Sequence, residues 1–511
     1  MSRKSLTAIV ASARAITIAL PAMNASAAAK KKTTKKPATA KATVAPATTP
    51  PAAAATTPPP AAANPCAAKP DVSLDKDYGI NAGVAKVAYD CAAAKPLKAS
   101  GDPISIGLQN PEGDPAGSFP EYRTSAQAAE KYINEELGGI GADYANGKPG
   151  RPIKIEVCSM AITPGDSQKC ANELAAKKVF AVYSTLNFFG NHFGTFNAAK
   201  IPVIVGTPIS PLDFTAPGTY AIGGGGGCLG VHTGLIDFAT KDLKGQKVAV
   251  PWANTPPGVF CYNDLEKKPL NVLNGTTPAT GNSAALTQPK LTHIGVPILP
   301  GQADVTPQAQ QVLDFKPDVI VFSAQGADCW TFEASLAKLG WTAAKIPLVF
   351  SGACLDDVKA KEAGDAAKGI YFVGAAVPII QTAKLTGLLK QESEIYITKM
   401  KQYGAKDDYT KGFATQGFLG IMTLWEMANV ASKGDVSKLT PALLEDTIAK
   451  TTGNHNFGAS PINCQAAGAP YITVCQSAVT ATQWNGSGYD IKRANYSGLY
   501  LIKGTALDLG K

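Results

Sequence analysis

Hydroxyl and glycine residues crowd the ends of short apolar runs in the first half of this chain: Ser118 after one run, Ser184 and Thr185 after another, Gly206, Thr207 and Ser210 after a third. Their Oγ atoms and backbone N–H groups suit the holding of a carboxylate or carbonyl oxygen, each charge-assisted bond contributing about 1.5–3 kcal/mol. The same residues also suit helix N-caps, and residue type alone leaves both readings open. Further along, Trp252 and Asn254 follow one apolar run, Gln325 and Asp328 follow a second, and Cys354 follows a third. Trp252 could stack on an apolar ligand or fill core. Signatures of bond-making chemistry are missing: there is no GxSxG elbow, HExxH helix or Walker loop. The adjacent Glu135 and Glu136 point to different faces of a helix, which reads as solvated surface rather than a catalytic pair. Gly225 to Gly230 satisfies GxGxxG, but the unbroken glycines from Gly223 to Gly227 satisfy many patterns, and no apolar run leads directly into them. No metal or cofactor is expected, since the cysteines lack zinc-site spacing and the four histidines are scattered.

Residues of this kind need elements to aim them. Ile104 to Leu108, Ile153 to Val157, Val179 to Tyr183 and Ile201 to Val205 are too short for buried helices and read as strands of one parallel sheet. Between the first two, Tyr122, Ala126, Ala129, Ile133 and Leu137 recur at helical spacing, stopped by Gly138 and Gly139. Ligands bind at the carboxyl ends of such strands, where helix N-termini and loop amides converge. Those ends carry the Pro111 to Ser118 loop, the Ser184 to Asn187 turn and the Gly206 to Ser210 turn. A second set of strands is expected at Lys247 to Trp252, His293 to Leu299, Asp318 to Ala324, Ile346 to Gly352 and Gly369 to Ala375, with a helix at Trp330 to Leu339. The five glycines from Gly223 read as a crossing between two lobes. The Tyr471 to Val474 run, between Cys464 and Cys475, looks like a closing β hairpin on the second lobe.

Several blocks in order carry a family resemblance: Ile106-Gly-Leu108 through Ala116-Gly117, Ile133 to Ile140, Val182-Tyr-Ser-Thr185, Ile201-Pro-Val-Ile204, Lys316-Pro-Asp-Val-Ile-Val321, Lys368-Gly-Ile-Tyr371 and Phe418-Leu-Gly420. The chain resembles the leucine/isoleucine/valine-binding type of extracytoplasmic solute-binding protein, in the type I periplasmic-binding-protein family, which delivers small molecules to ABC importers. The resemblance implies an α/β fold of two doubly wound parallel-sheet lobes joined by a multi-crossing hinge. It implies first-lobe ligand contacts at Ser184, Thr185, Gly206, Thr207 and Ser210, and sets Phe418 where the family more often has tyrosine, although a helical aromatic is also ordinary core. The helix around Phe418 to Val430 would return the chain to the first lobe. Amino-acid binders of the family place an acidic residue near the strand end before Gly352; here stand Ala353 and Cys354, which puts an α-amino acid in doubt unless Asp328, Asp356 or Asp357 substitutes.

Charge and cysteine usage agree with that reading. Of 48 Lys and Arg, ten lie in residues 1–69 with no Asp or Glu, so the body from 70 onward holds 38 against 39 acidic residues. A near-neutral body argues against nucleic acid as a partner. Ser2-Arg-Lys4, the apolar Leu6 to Leu20 interrupted by Arg14, and Ala25-Ser-Ala27 have the layout of a secretory signal over 1–27. No Cys follows that apolar segment directly, so a lipid anchor is not expected. Residues 28–65, rich in Ala, Pro, Thr and Lys, read as a disordered tether that either stays solvated or touches an anionic cell envelope. Ten cysteines suit an oxidising compartment and fall as neighbours: Cys66 with Cys91, Cys158 with Cys170, Cys228 with Cys261, Cys329 with Cys354, Cys464 with Cys475.

The expected organisation is a signal at 1–27, the tether at 28–65, a lead-in at 66–101, a first lobe from 102–222 and 376–458, and a second from 223–375 and 459–511. The expected protein is extracytoplasmic and not an enzyme, with a small-molecule solute and ABC permease subunits as partners. A ligand-binding sensor, a wall-associated adhesion protein and, more remotely, a secreted hydrolase are the competing readings.

Overall fold

The computed structural model describes residues 64–69, 71, 73–75, 78–278, 287–374, 384–466 and 471–502. The expected signal, nearly all of the tether, the 375/376 boundary and the last nine residues lie outside the described residues.

Two separate sheets organise the chain. The first has five parallel strands, in spatial order Ile153–Met160, Ile104–Pro111, Ala181–Ser184, Val203–Val205 and Thr219–Tyr220. The second has seven, five of them parallel: Lys247–Ala253, Thr292–Ile298, Val319–Phe322, Leu348–Ser351 and Tyr371–Gly374. Both sheets lie between helices, giving two α/β lobes.

Sequence patterning explains the first lobe well. Tyr122, Ala126, Ala129, Ile133 and Leu137 are all fully buried, and four of them belong to the helix Pro120–Glu135. That helix ends before Gly138 and Gly139, whose φ values of 72° and 78° favour glycine. The helix Gly412–Ser432 packs against it and returns the chain to this lobe. The lead-in supplies a further helix, Ala82–Ala94, tied by the Cys66–Cys91 disulfide and packed through Tyr89 on Trp425 and Phe457.

Some boundaries moved for identifiable reasons. Ile104 pairs with Ile153 and the pairing runs on to Pro111 with Met160, because the buried polar Gln109 and Asn110 bond to the Ser167 and Phe119 carbonyl oxygens. Among the described residues the hairpin expected at Tyr471 to Val474 does not form. Val474 makes a single parallel bridge to Ala221, while the antiparallel pair is Val479–Trp484 with Tyr489–Tyr496, added to the edge strand Tyr371–Gly374. Buried Thr480 and Thr482 gave that strand its polar look in the sequence.

The glycine run is a crossing, as its composition suggested. It leads from Thr219–Tyr220 on the first sheet into the helix Gly227–Asp237, which packs on strands of the second. Gly225, Gly226 and Gly227 all have positive φ, and a Cβ on Gly227 would overlap the Pro208 carbonyl oxygen. All ten cysteines pair as neighbours in the structure.

Candidate functional site

The carboxyl ends of both sets of strands face a cleft that divides into two chambers. The inner chamber takes Thr207 and Ile209 from the first lobe, Val231 and His232 from the helix after the glycine crossing, and Ser351 to Ala353 from the second sheet. The first turn of the helix Gly412–Ser432 closes it, with Lys411, Phe413, Thr415 and Gln416. The outer chamber is walled by Asp114 to Phe119, Glu121, Gln325 to Asp328 and Ala353 to Asp356. Gln325, Ala353, Leu355, Lys411 and Gly412 line both.

The two lobes meet across this cleft. Gly412 donates its N–H to the Leu355 carbonyl oxygen at 3.0 Å, and a Cβ on Gly412 would overlap the Gly352 carbonyl oxygen. On the outer side, a Cβ on Gly301 would lie 2.7 Å from the Pro115 carbonyl oxygen. Glycine at these two contacts lets backbone approach backbone, so the structure is a closed jaw.

Five of the expected site residues line the chambers. Thr207 is in the inner one, its Oγ1 2.9 Å from the Tyr122 hydroxyl. Gln325 belongs to both; Ser118, Asp328 and Cys354 belong to the outer one, Cys354 as half of a disulfide with Cys329. The others sit elsewhere. Ser184 is fully buried with Oγ 3.2 Å from His192 Nε2, an imidazole whose burial brings its pKa down to about 3. Thr185 donates to the Gln109 carbonyl oxygen and Asn110 Oδ1. Gly206 makes room for the Tyr122 and Tyr183 hydroxyls, and Ser210 caps the turn Pro211–Phe214. Trp252 stacks flat on Tyr262 at 4.9 Å, and Asn254 is exposed. Phe418 is wholly buried among Tyr396 and Phe457.

The sequence reading missed His232, Lys411, Phe413, Thr415 and Gln416. Gly227, Cys228, Val231 and His232 fall at helical spacing, so one helix face looks into the inner chamber. Lys411 to Gln416 carry the polar residues at the start of an otherwise apolar helix, one turn before the Phe418 position.

Electrostatics separate the chambers. Among the described residues, no Asp or Glu lines the inner one. The outer one has Asp114, Glu121, Asp328 and Asp356, with Lys359 and Lys411. Burial raises Glu121 to about 7, opposed in part by Lys411. Burial also raises Asp328, against the Gly301 N–H that it accepts.

Glu392, Glu426 and His455 form a buried group outside the cleft that could hold a metal ion by distance alone. Its geometry is instead that of an imidazolium between two carboxylates: Nε2 lies 3.0 Å from Glu392 Oε1 and Nδ1 lies 2.9 Å from Glu426 Oε2. Burial disfavours the charged imidazole, but the two carboxylates outweigh it and hold His455 well above its usual range.

Residues 271–478 match the family model described as periplasmic binding protein. The whole architecture matches solved structures. A leucine-binding protein from Thermotoga maritima aligns at 14% identity over 77% of this chain and 98% of its own, with a TM-score of 0.55.

The fold is that of a type I periplasmic binding protein.

A branched-chain amino acid substrate-binding protein from Streptococcus pneumoniae, solved with isoleucine, shares that periplasmic-binding-protein fold at 13% identity, covering 77% of this chain and all of its own, TM-score 0.55. A solute-binding protein from Rhodopseudomonas palustris, in complex with 4-hydroxybenzoate, does so at 16% identity, 77% and 96% coverage and TM-score 0.55. No curated protein sequence matches the chain. The resemblance read from the ordered sequence blocks is borne out, and the matched family and fold are those of solute-binding proteins rather than enzymes. Among the described residues no helix is long and apolar enough to cross a membrane.

Proposed function

We propose that this chain is the extracytoplasmic solute-binding component of an ABC importer, capturing a small polar or amphipathic molecule between its lobes and passing it unaltered to a membrane permease. The observation that carries the reading is the inner chamber, walled by both lobes at the carboxyl ends of their strands and shut by the Gly412 to Leu355 contact. A solute touching both walls favours the closed state over the open one by its differential affinity. Hinge crossings at 222/223 and 458/459 would let the jaws part. Similar proteins solved with isoleucine and 4-hydroxybenzoate support a small organic solute. An α-amino acid fits poorly, because a buried ammonium needs a counter-charge and the inner chamber supplies none among its described lining residues.

Thermal-shift screening with amino acids, amides, ureas and carboxylic acids tests the reading. A true solute at 100 times its dissociation constant adds roughly 2.7 kcal/mol of stability. A panel in which nothing raises the melting temperature, or in which the protein consumes the compound, contradicts it.

A further inference from the structure

The charges around the inner chamber are not distributed evenly. Two basic side chains reach it from opposite lobes: Lys411, at the start of the helix Gly412–Ser432, and His232, on the helix Gly227–Asp237. Each is backed by a carboxylate that lies outside the chamber lining. Asp408 Oδ1 is 2.8 Å from Lys411 Nζ, and Glu266 Oε1 is 3.1 Å from His232 Nδ1. Glu266 is wholly buried and also accepts from Ser323 Oγ, so its carboxylate is fixed in place. With Nδ1 beside Glu266, Nε2, which has no hydrogen-bond partner among the described residues, lies at the other edge of a ring that lines the chamber. Each basic side chain thus stands between a carboxylate and the same space, where an anion can meet both.

The outer-chamber aspartates already accept backbone N–H groups. Asp114 accepts from the Ala116 and Ile162 N–H groups, Asp328 from Gly301, and Asp356 from Val358 and Lys359. Glu121 is held up to about 7 by burial. The rest of the inner wall mixes uncharged polar side chains, Thr207, Gln325, Ser351 and Thr415 among them, with the apolar Ile209, Val231, Leu355 and Phe413. Phe413 is braced against Tyr122 with its ring nearly parallel at 5.6 Å.

We propose that the captured solute is a carboxylate with an apolar body and no amine, its carboxylate bridging His232 Nε2 of one lobe and Lys411 Nζ of the other. The inference rests on the capture reading above and goes beyond it by naming the chemical class. It also gives the closure a cause. In the open state each basic side chain faces water beside its own carboxylate, whereas in the closed state one carboxylate meets both, Nε2 donating to it from a doubly protonated ring, so the ligand binds the closed form more tightly. Glu266 acts as a positioning residue, through His232.

The test is calorimetric titration of the full chain with matched sets of compounds: isocaproate, isocaproamide and leucine; hydrocinnamate, hydrocinnamamide and phenylalanine; benzoate and benzamide. At least one carboxylate is expected to bind at least about tenfold tighter than its amide and its amino acid, the discrimination of a single charge-assisted bond. His232→Gln and Lys411→Gln are each expected to cut that affinity roughly ten- to hundredfold while the amide's changes little. Glu266→Gln should narrow the preference for acid over amide, a ratio that a merely structural role would leave alone. Lys411 is partly exposed, so its variant keeps the test alive should His232→Gln fail to fold. An amino acid or amide binding as tightly as its carboxylate, none of the carboxylates binding, or both glutamine variants keeping the full preference overturns the proposal. The capture reading survives those results if any other solute stabilises the protein, and falls only if none does.

Discussion

Glu121 and His455 show how single buried charges set the chemistry of this protein. Glu121 is only 9% exposed at the cleft edge, and burial lifts its carboxyl to about 7. A folded-state value above the unfolded one means that the folded chain holds the proton more tightly. Its favourable contribution is full below the ordinary carboxyl range and fades as pH rises toward about 7. Urea denaturation at about pH 5 and about pH 8 should therefore show wild type losing more stability across the interval than Glu121→Gln does. Equal losses would place the Glu121 charge elsewhere. His455→Ala would strand Glu392 and Glu426 in the core with no cation between them, and is expected to cost about 3–5 kcal/mol in the same assay. Both effects were hidden in the sequence, where nothing singled out Glu121 and His455 was one of four scattered histidines. Burial and partner decide them, and neither is written in residue type.

Elements were more legible than residues. Every parallel strand of the two sheets except the two-residue Thr219–Tyr220 was anticipated within a few positions, because apolar runs buried on both faces cannot be mistaken for loops, whereas the antiparallel Val479–Trp484 and Tyr489–Tyr496 were not. The cleft-facing end of the helix Gly412–Ser432 was not anticipated. Nearly every residue of that helix is buried, so no apolar stripe singles out one face, and Phe418 drew attention from the turn before it. The first turn also carries the jaw contact. Gly412→Leu would push its side chain into Gly352 and is expected to hold the lobes apart. Small-angle scattering of the variant should give a larger radius of gyration than wild type, with solute affinity reduced; an unchanged radius would mean that this contact does not govern closure. On the far side of the first lobe, a Cys66→Ser/Cys91→Ser variant removes the tie on the helix Ala82–Ala94. The closed loop of this length stabilises by roughly 3 kcal/mol in the chain-entropy model. A lower melting temperature with unaltered solute affinity is the expected result.

At the scale of the whole molecule, the body from residue 70 is close to neutral, and its function resides in how two lobes share one cavity. The two-lobe architecture was readable from the alternation of strands and helices and from the glycine crossing. The composition of the shared wall was not, because it is assembled from Thr207, His232, Ser351 and Lys411, four segments far apart in the chain. Residues that meet only after folding leave no spacing to read. That is also why the first-lobe hydroxyls expected at strand ends divide as they do: Thr207 reaches the chamber, while Ser184 and Thr185 turn inward to His192 and Asn110.

The most direct measurement is a crystal structure of the protein with the carboxylate that binds it most tightly. Intact solute in the inner chamber, its carboxylate within hydrogen-bond distance of His232 and Lys411 and the jaws shut by the Gly412 to Leu355 contact, is the predicted result. A solute bound outside the cleft, or found there chemically altered, would contradict the account.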